Sequence, residues 1–140
     1  MSEERYHAAL ADLAHHIGVD GQALAAHQEL VIDGTAIALA CVNDGLGGAI
    51  EGACRVGAQP LPADPPAGLL PMLLQANTLG PATRGGTLGL QQSGHLVLAR
   101  RLPLDTAPEG LARAWRDLAD ASVQWAAAID QGLGDDAGPR

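Results

Sequence analysis

The sequence contains no lysine and no phenylalanine among its 140 residues, and only one tyrosine and two tryptophans. Its 8 cations are therefore all arginines, set against 16 carboxylates, and the net charge is -8. Nucleic acids are bound through a basic stripe that neutralises phosphates, and the scattered arginines form none. With so few aromatic residues, the core must be built from Leu, Ile, Val and Ala. A core of these side chains leaves little room for a deep ligand pocket. These absences argue against nucleic acid or a small-molecule substrate as partner.

A basic, apolar leader and a membrane-spanning run are also missing. The first residues, MSEERYHAAL, are acidic where a signal peptide is basic, and no apolar run approaches the roughly 18 residues of a transmembrane helix. We therefore expect a cytoplasmic protein without membrane insertion. Cysteine occurs only at Cys41 and Cys54, on the two arms of a predicted hairpin. In a reducing compartment both are expected to be small buried hydrophobes, not a disulfide.

Apolar spacing predicts a helix and three strands in the first part of the chain. The helix covers residues 2–17, where Tyr6, Leu10 and Leu13 share one face. The first strand, ELVI, ends at an Asp-Gly pair, the strongest short signal of a hairpin. TAIALACV and AIEGACRV follow as further strands. Gly52 weakens the third strand and indicates a bulge or a close approach of other backbone.

Residues 65–79 predict a second helix that is apolar nearly all round. Leu70 and Leu74 lie about a third of a turn from the stripe that contains Leu69 and Leu73, so both sets cannot face one sheet. A helix on a sheet needs only one apolar face, and the chain is too short to cover a second one internally. A partner subunit is the simplest source of that cover.

The remaining segments predict a hairpin and a last helix. The strands TLGLQ and HLVLARRL are joined through QSG, and the helix begins near Ala107 and Pro108. The order helix, three strands, helix, two strands, helix predicts an α+β fold with helices packed on a twisted antiparallel sheet. We expect one domain over residues 1–131 and a disordered acidic tail over residues 132–140.

The segment GPATRGGT, residues 80–87, has the spacing of a phosphate-binding loop, but Gly86 stands where the lysine should be. Such a loop follows a strand and opens a helix, so that backbone N–H groups face the anion. Here a helix precedes the loop and a strand follows it, and Pro81 removes one N–H. We interpret the segment as a connector and expect no nucleotide cofactor.

The sequence offers no arrangement of residues suited to catalysis or to metal binding. His15 and His16 are consecutive on a helix, about 100° apart, so they cannot share a ligand face. No H-E-x-x-H or C-x-x-C spacing occurs, and no G-x-S-x-G elbow frames a serine. Ser93 and His95 belong to a predicted turn. We therefore expect a non-enzymatic protein without catalytic, cofactor-binding or metal-binding residues.

One pair of charges stands out from this pattern. Arg100 and Arg101 are adjacent on a strand and so point to opposite faces of the sheet. Either both are solvated or paired within the protein, or one of them meets an acidic group on a partner. The sequence leaves both interpretations open.

The element order, with the segment LLQANTLGPATRGGTLGLQQSGHLVLARRLPL, resembles the class I type III secretion chaperones, the Tir-chaperone (CesT-type) family. The match is best over residues 69–130. The resemblance implies a cytoplasmic homodimer that uses no ATP and holds the N-terminal region of a secreted effector as a non-globular, soluble and export-competent segment. It also implies a dimer contact through the second helix and the strand after it. The residues assigned to that contact are Leu70, Leu73, Leu74 and Leu88.

A client segment without its own core can add a strand to an exposed sheet edge and place apolar side chains in shallow grooves. The first strand is the candidate edge, with Leu30 and Ile32 as contact residues, and Arg100 or Arg101 as a charge-assisted contact. One alternative is a regulator of the same fold that sequesters a secretion-linked regulator. Another is a small α+β enzyme, for which the sequence offers no site. The identity of a co-purifying protein distinguishes the first two.

Overall fold

A computed structural model describes residues 2–43, 47–57, 59–64, 67–79 and 86–137 of the chain. The predicted order of helices and strands is confirmed, with one further short helix after the first. The elements are α1 (Ser2–Ile17), α2 (Gly21–His27), β1 (Glu29–Ile32), β2 (Thr35–Val42), β3 (Ala49–Val56), α3 (Leu69–Leu79), β4 (Thr87–Leu90), β5 (Leu96–Pro103) and α4 (Pro108–Ala137).

The short helix α2 is defined at both ends by local hydrogen bonds. The Asp20 carboxylate accepts from the N–H of Gln22 at 2.9 Å, which satisfies a free donor of the first turn. At the other end, Gln28 adopts a left-handed conformation (φ 49°), and its N–H donates to the carbonyl of Leu24 at 2.8 Å. The helix thus ends directly before β1 and sets the direction in which that strand begins.

Helix α3 starts later than the sequence predicts, and helix α4 extends beyond residue 131. Helix α3 begins at Leu69, four residues after the predicted start at residue 65, and Pro71 lies in its first turn, where its missing N–H costs nothing. Helix α4 continues to Ala137. The division of the chain at residue 131 into a domain and a disordered tail stays a prediction.

The five strands form one antiparallel sheet in the order β1-β2-β3-β5-β4. Helices α1 and α4 pack on one face of it, and most of the strand residues that point to this face are buried; Arg100 is half-buried and Leu90 is exposed. Strand β1 forms one edge of the sheet and β4 forms the other. The largest fully buried side chains are Trp115, Leu10, Leu13, Ile37, Ile50, Leu98, Leu111 and Leu118.

Gly52 pairs regularly with Leu39 on one side and Arg100 on the other, so β3 has no bulge at this position. The close approach that the glycine predicted is made by a side chain, the buried ring of Trp115 on α4, and not by backbone. The helix therefore lies nearer to the sheet here than a strand residue with a side chain would allow.

Cys41 and Cys54 are not joined by a disulfide. Cys41 pairs with Ile50 across the β2–β3 ladder, and Cys54 lies four residues further along β3, a separation of about 14 Å. That distance is too large for a disulfide. Burial raises the pKa of the Cys54 thiol, whose Sγ lies 3.8 Å from the carbonyl oxygen of Leu98. Cys54 is therefore a buried strand residue, and Cys41 is a half-buried one.

Candidate protein-binding surfaces

The β1 edge presents two residues outward. In the β1–β2 hairpin the N–H of Leu39 donates to the carbonyl of Gln28 at 2.8 Å, and antiparallel alternation makes Leu30 and Ile32 face β2 likewise. The N–H and C=O groups of Glu29 and Val31 therefore point away from the sheet. Backbone groups in this position are those that an added strand would bond.

The structure shows which side chains of β1 are buried and which are exposed, a division that the sequence did not reveal. Leu30 is only 5% exposed and belongs to the core, whereas Val31 is 60% exposed. Ile32 is half-buried at the rim of the core. Of the two residues predicted to contact a client, Ile32 is the more accessible. Val31 is the exposed apolar residue of this strand, and periodicity alone could not say which side of a four-residue edge strand faces the helices.

A shallow groove of about 230 Å³ runs beside β1, between the end of α1 and the first turns of α4. Most of its lining residues are apolar, but about half of the lining surface is polar, and Asp33 and Arg116 place one charge of each sign beside it. A groove of this kind, next to a free strand edge, suits an extended segment that places alternate side chains into it. The lining residues are Ile17, Val19, Leu30, Val31, Ile32, Asp33, Ala112 and Arg116.

The residue before β1 is joined to α1 by one partly buried hydrogen bond. The hydroxyl of Tyr6 donates to Oε1 of Gln28 at 2.7 Å. Burial, with a smaller contribution from nearby Cys41, raises the pKa of Tyr6 to about 12, so the hydroxyl keeps its proton at neutral pH. Because Gln28 also provides the carbonyl that Leu39 bonds, this contact fixes both the left-handed turn and the first rung of the edge hairpin.

Arg100 and Arg101 lie on opposite faces of β5, as alternation requires. Arg100 pairs with Gly52 on the helix-covered side and is half-buried. Arg101 lies on the open side, where its Nε donates to Oε2 of Glu51 at 2.7 Å across the strands. Since the Arg101 side chain is 58% exposed, this ion pair adds little stability. The ion pair of Arg101 and Glu51 borders a cavity of about 460 Å³ on the open face of the sheet.

Helix α3 buries one stripe and exposes another. Leu73 is 5% exposed and packs in the core, whereas Leu70 and Leu74 are 46% and 67% exposed. On β4, Leu88 is buried and Leu90 is exposed. Of the four residues assigned to the dimer contact, Leu70 and Leu74 therefore lie on the surface of the subunit, and Leu73 and Leu88 lie beneath it. Leu90 was not singled out in the sequence, where it ends an alternating strand.

Asn77, also missed in the sequence, links α3 to β4. Its Nδ2 donates to the carbonyl of Leu88 at 2.9 Å, and its Oδ1 accepts from the N–H of the same residue at 2.6 Å. An asparagine near the end of an apolar helix does not indicate this contact, because the partner is eleven residues away on another element. The backbone groups of Leu88 that face away from β5 are thus satisfied.

The structure describes only part of the segment considered as a phosphate loop, since residues 80–85 lie outside the described ranges. In the described ranges, no group of three or more His, Cys, Asp or Glu residues is placed to hold a metal ion. The Ser93 hydroxyl lies 2.8 Å from Nδ1 of His95 in the exposed turn between β4 and β5, where the contact orders the turn. None of the helices, within the residues described, has the length and hydropathy needed to span a bilayer.

The chain is similar to known proteins in sequence pattern and in fold. The model of the Tir chaperone protein (CesT) family matches residues 8–126. Among curated protein sequences, no relative matches. The fold is similar to a chain in the structure of the Yersinia pestis type III secretion chaperone SycH in complex with a stable fragment of YscM2. Their identity is 22% and the TM-score 0.64, over 86% of this chain and 98% of that chain.

Two further structures share the fold. A chain of the HopA1–SchA chaperone–effector complex has 20% identity and a TM-score of 0.67, over 88% of this chain and 94% of that one. A chain of the heterodimeric ExoU–SpcU complex from the type III secretion system of Pseudomonas aeruginosa has 18% identity and a TM-score of 0.59. That match covers 74% of this chain and 82% of the other. At these identities, the likeness is one of fold.

Proposed function

The chain belongs to the Tir chaperone protein (CesT) family, and from this premise we propose that it binds the N-terminal region of a type III secreted effector. The effector is held as a non-globular segment and is kept soluble and export-competent. The family match confirms the resemblance seen in the sequence. The chaperone acts in the cytoplasm, without catalysis, ATP or a cofactor.

The observation that carries this proposal is the β1 edge with its groove. Glu29 and Val31 turn their backbone groups away from β2, and the exposed Val31 side chain lines a groove whose other apolar residues include Ile17 and Ile32. An extended client segment gains hydrogen bonds from the edge and buries apolar side chains in the groove, without needing a fold of its own. A deep pocket is unnecessary, because the contact extends along a strand edge and a shallow groove.

The solved structures of similar fold support the same function. One is a chaperone–effector complex, and one is a secretion chaperone bound to a stable fragment of another protein. By analogy, the client of this chain is a protein segment. The alternative of a regulator with the same fold predicts that the bound protein controls secretion and is not itself exported.

The active form is a homodimer that packs through the exposed side of α3. Leu70 and Leu74 on that helix, with Leu90 on β4, expose apolar surface that a monomer leaves in water. An identical subunit covers the same residues on both copies through a two-fold axis. Burying these leucines then stabilises the dimer in proportion to the apolar area removed from water.

The experiment is purification of the protein from its native cell with whatever it binds, followed by limited proteolysis and mass spectrometry. We expect a protected segment from the N-terminal region of a secreted protein. A partner bound as an intact folded domain contradicts the chaperone function. A protected segment from a protein that stays in the cell supports the regulator instead.

A further inference from the structure

The two hydrogen bonds of Asn77 have the geometry of a strand contact. Both connect one side-chain amide to the N–H and the C=O of one residue, Leu88, at 2.6 and 2.9 Å. The N–H can only donate and the carbonyl can only accept, so the orientation of the amide is fixed. A neighbouring antiparallel strand bonds the same two groups of one residue in the same way. The side chain of Asn77 therefore stands where a sixth strand would lie.

Leu88 is the residue through which such a strand would join. It pairs with Leu98 on β5, while Gly89 pairs with Val97. Since the N–H and C=O groups of Leu88 face α3, alternation turns those of Gly89 inward to β5. Strand β4 has four residues, so one closed position in its middle interrupts any added ladder.

Asn77 also lies at the border of the two faces of α3. It follows the buried Leu73 by four residues and the exposed Leu74 by three, and it is itself half-buried. Residues with these spacings are neighbours on a helix surface. A contact at this border fixes both how deeply the inner stripe packs and where the outer leucines lie relative to β4.

We propose that Asn77 is a positioning residue that closes the β4 edge of the sheet and holds α3 against it. The closure leaves β1 as the edge for an added strand, and it fixes the exposed leucines of α3 and β4 as one subunit surface. The role in the subunit surface rests on the proposed homodimer. The closure of the edge does not, since it is a property of the single chain.

The first test is site-resolved amide hydrogen exchange on the free protein. In Asn77→Ala the Leu88 amide is expected to exchange about five- to tenfold faster than in wild type, as for the loss of one net hydrogen bond. The Gly89 amide, bonded to β5, is expected to keep its wild-type rate. Gln75→Ala is the matched control, because it removes an exposed amide side chain from the same helix. An unchanged Leu88 rate, or equal acceleration of Leu88 and Gly89, overturns the proposal.

A second measurement needs no substitution. A scalar coupling transmitted through the hydrogen bond, between the Leu88 amide nitrogen and the Asn77 carboxamide carbon, is expected in the NMR spectrum of the wild-type protein. Its absence, under conditions in which such couplings are seen within the β3–β5 ladder, means that the closure does not exist in solution. This result overturns the proposal even if Asn77→Ala fails to fold.

The last arm measures the subunit surface by sedimentation equilibrium. Asn77→Ala is expected to weaken self-association at least about fivefold, with Gln75→Ala as wild type. Association unchanged in Asn77→Ala overturns the role in the subunit surface. If wild type is a monomer, the homodimer of the proposed function fails, and the exchange result alone decides whether Asn77 closes the edge.

Discussion

The ring of Trp115 occupies the space that a side chain at residue 52 would need. A Cβ atom built on Gly52 would lie 2.6 Å from Cζ3 and 2.8 Å from Cε3 of Trp115, both well inside van der Waals contact. Trp115 is fully buried, and its Nε1 has no hydrogen-bond partner among the described residues. Shape, and not polar contact, therefore holds the tryptophan between α4 and the sheet.

Replacing Gly52 by Ala is expected to destabilise the protein by about 1–3 kcal/mol, because the tryptophan must shift in a packed core. The matched control is Gly89→Ala, on an exposed strand position where an added Cβ meets nothing within 4 Å. Urea unfolding followed by tryptophan fluorescence measures both. Equal stabilities of the two variants would show that the close contact does not constrain the fold.

Replacing Leu70 and Leu74 together by Asp is expected to give monomers or aggregates. Two exposed leucines contribute roughly 3 kcal/mol to a buried contact, which corresponds to a loss of affinity on the order of a hundredfold. Val123→Asp is the control, since Val123 is an exposed apolar residue of α4. Light scattering during gel filtration reports the mass. A monomeric wild type at micromolar concentration would contradict the homodimer.

Replacing Val31 by Pro is expected to weaken client binding about tenfold or more while the free protein stays folded. The N–H of Val31 points away from β2, so the substitution removes a bond to an added strand but none within the sheet. Val31→Thr keeps the N–H and should bind nearly as wild type. The comparison is made by titrating a client segment isolated by limited proteolysis. Equal binding of the Pro and Thr variants rules out strand addition at β1.

Replacing Ile32 by Asp is expected to cost more binding free energy than Arg100→Ala or Arg101→Ala, by about 1–3 kcal/mol. Ile32 lines the groove beside β1, whereas Arg101 already has an intramolecular partner in Glu51. Raising salt from about 0.1 to about 0.5 M should weaken binding only modestly, since salt screens exposed charges. A steep loss of affinity with salt would indicate a contact dominated by charge. Urea unfolding of the free variants separates binding from stability.

Replacing Tyr6 by Phe is expected to lower stability at pH 7 by about 1 kcal/mol, because Gln28 loses its donor. The pKa of Tyr6 is raised to about 12 in the folded protein, above its ordinary value near 10. The folded state therefore holds the proton more tightly, and wild-type stability should fall as pH rises from about 10 to about 12. The Phe variant should lack this contribution. Unfolding midpoints across that pH range measure it, and identical slopes would contradict the linkage.

The architecture could be predicted from the sequence because its signals are local. Periodicity placed α1 and the three strands after it, and the Asp33–Gly34 pair placed the first hairpin. Helix α2 escaped prediction, since seven residues carry too little periodicity; the capping residue Asp20 was its one usable signal. Asp64 is a good N-cap and Pro65 a good first helical residue, so the sequence predicts the start of α3 at residue 65, but the helix begins only at Leu69.

The surfaces were harder to predict than the fold. A doubly apolar helix showed that α3 has a second face, but only the structure shows that Leu73 lies inside and Leu74 outside. On β1 the same limit applied to Leu30 and Val31, since a strand of four residues has no pattern long enough to orient it. The contact of Asn77 with Leu88 joins residues eleven positions apart on two different elements, which no local rule supplies.

Because β1 is short, the binding free energy that it can provide to one stretch of a client is small. Two outward residues offer at most four backbone hydrogen bonds, worth together about 2–6 kcal/mol before the ordering of the client is subtracted. This free energy is less than a micromolar complex requires. The client must therefore bind through several separate contact sites along its length. A client bound in this way can dissociate from one contact site at a time. Pulling from one end removes it without an energy source in the chaperone and without unfolding the chaperone itself.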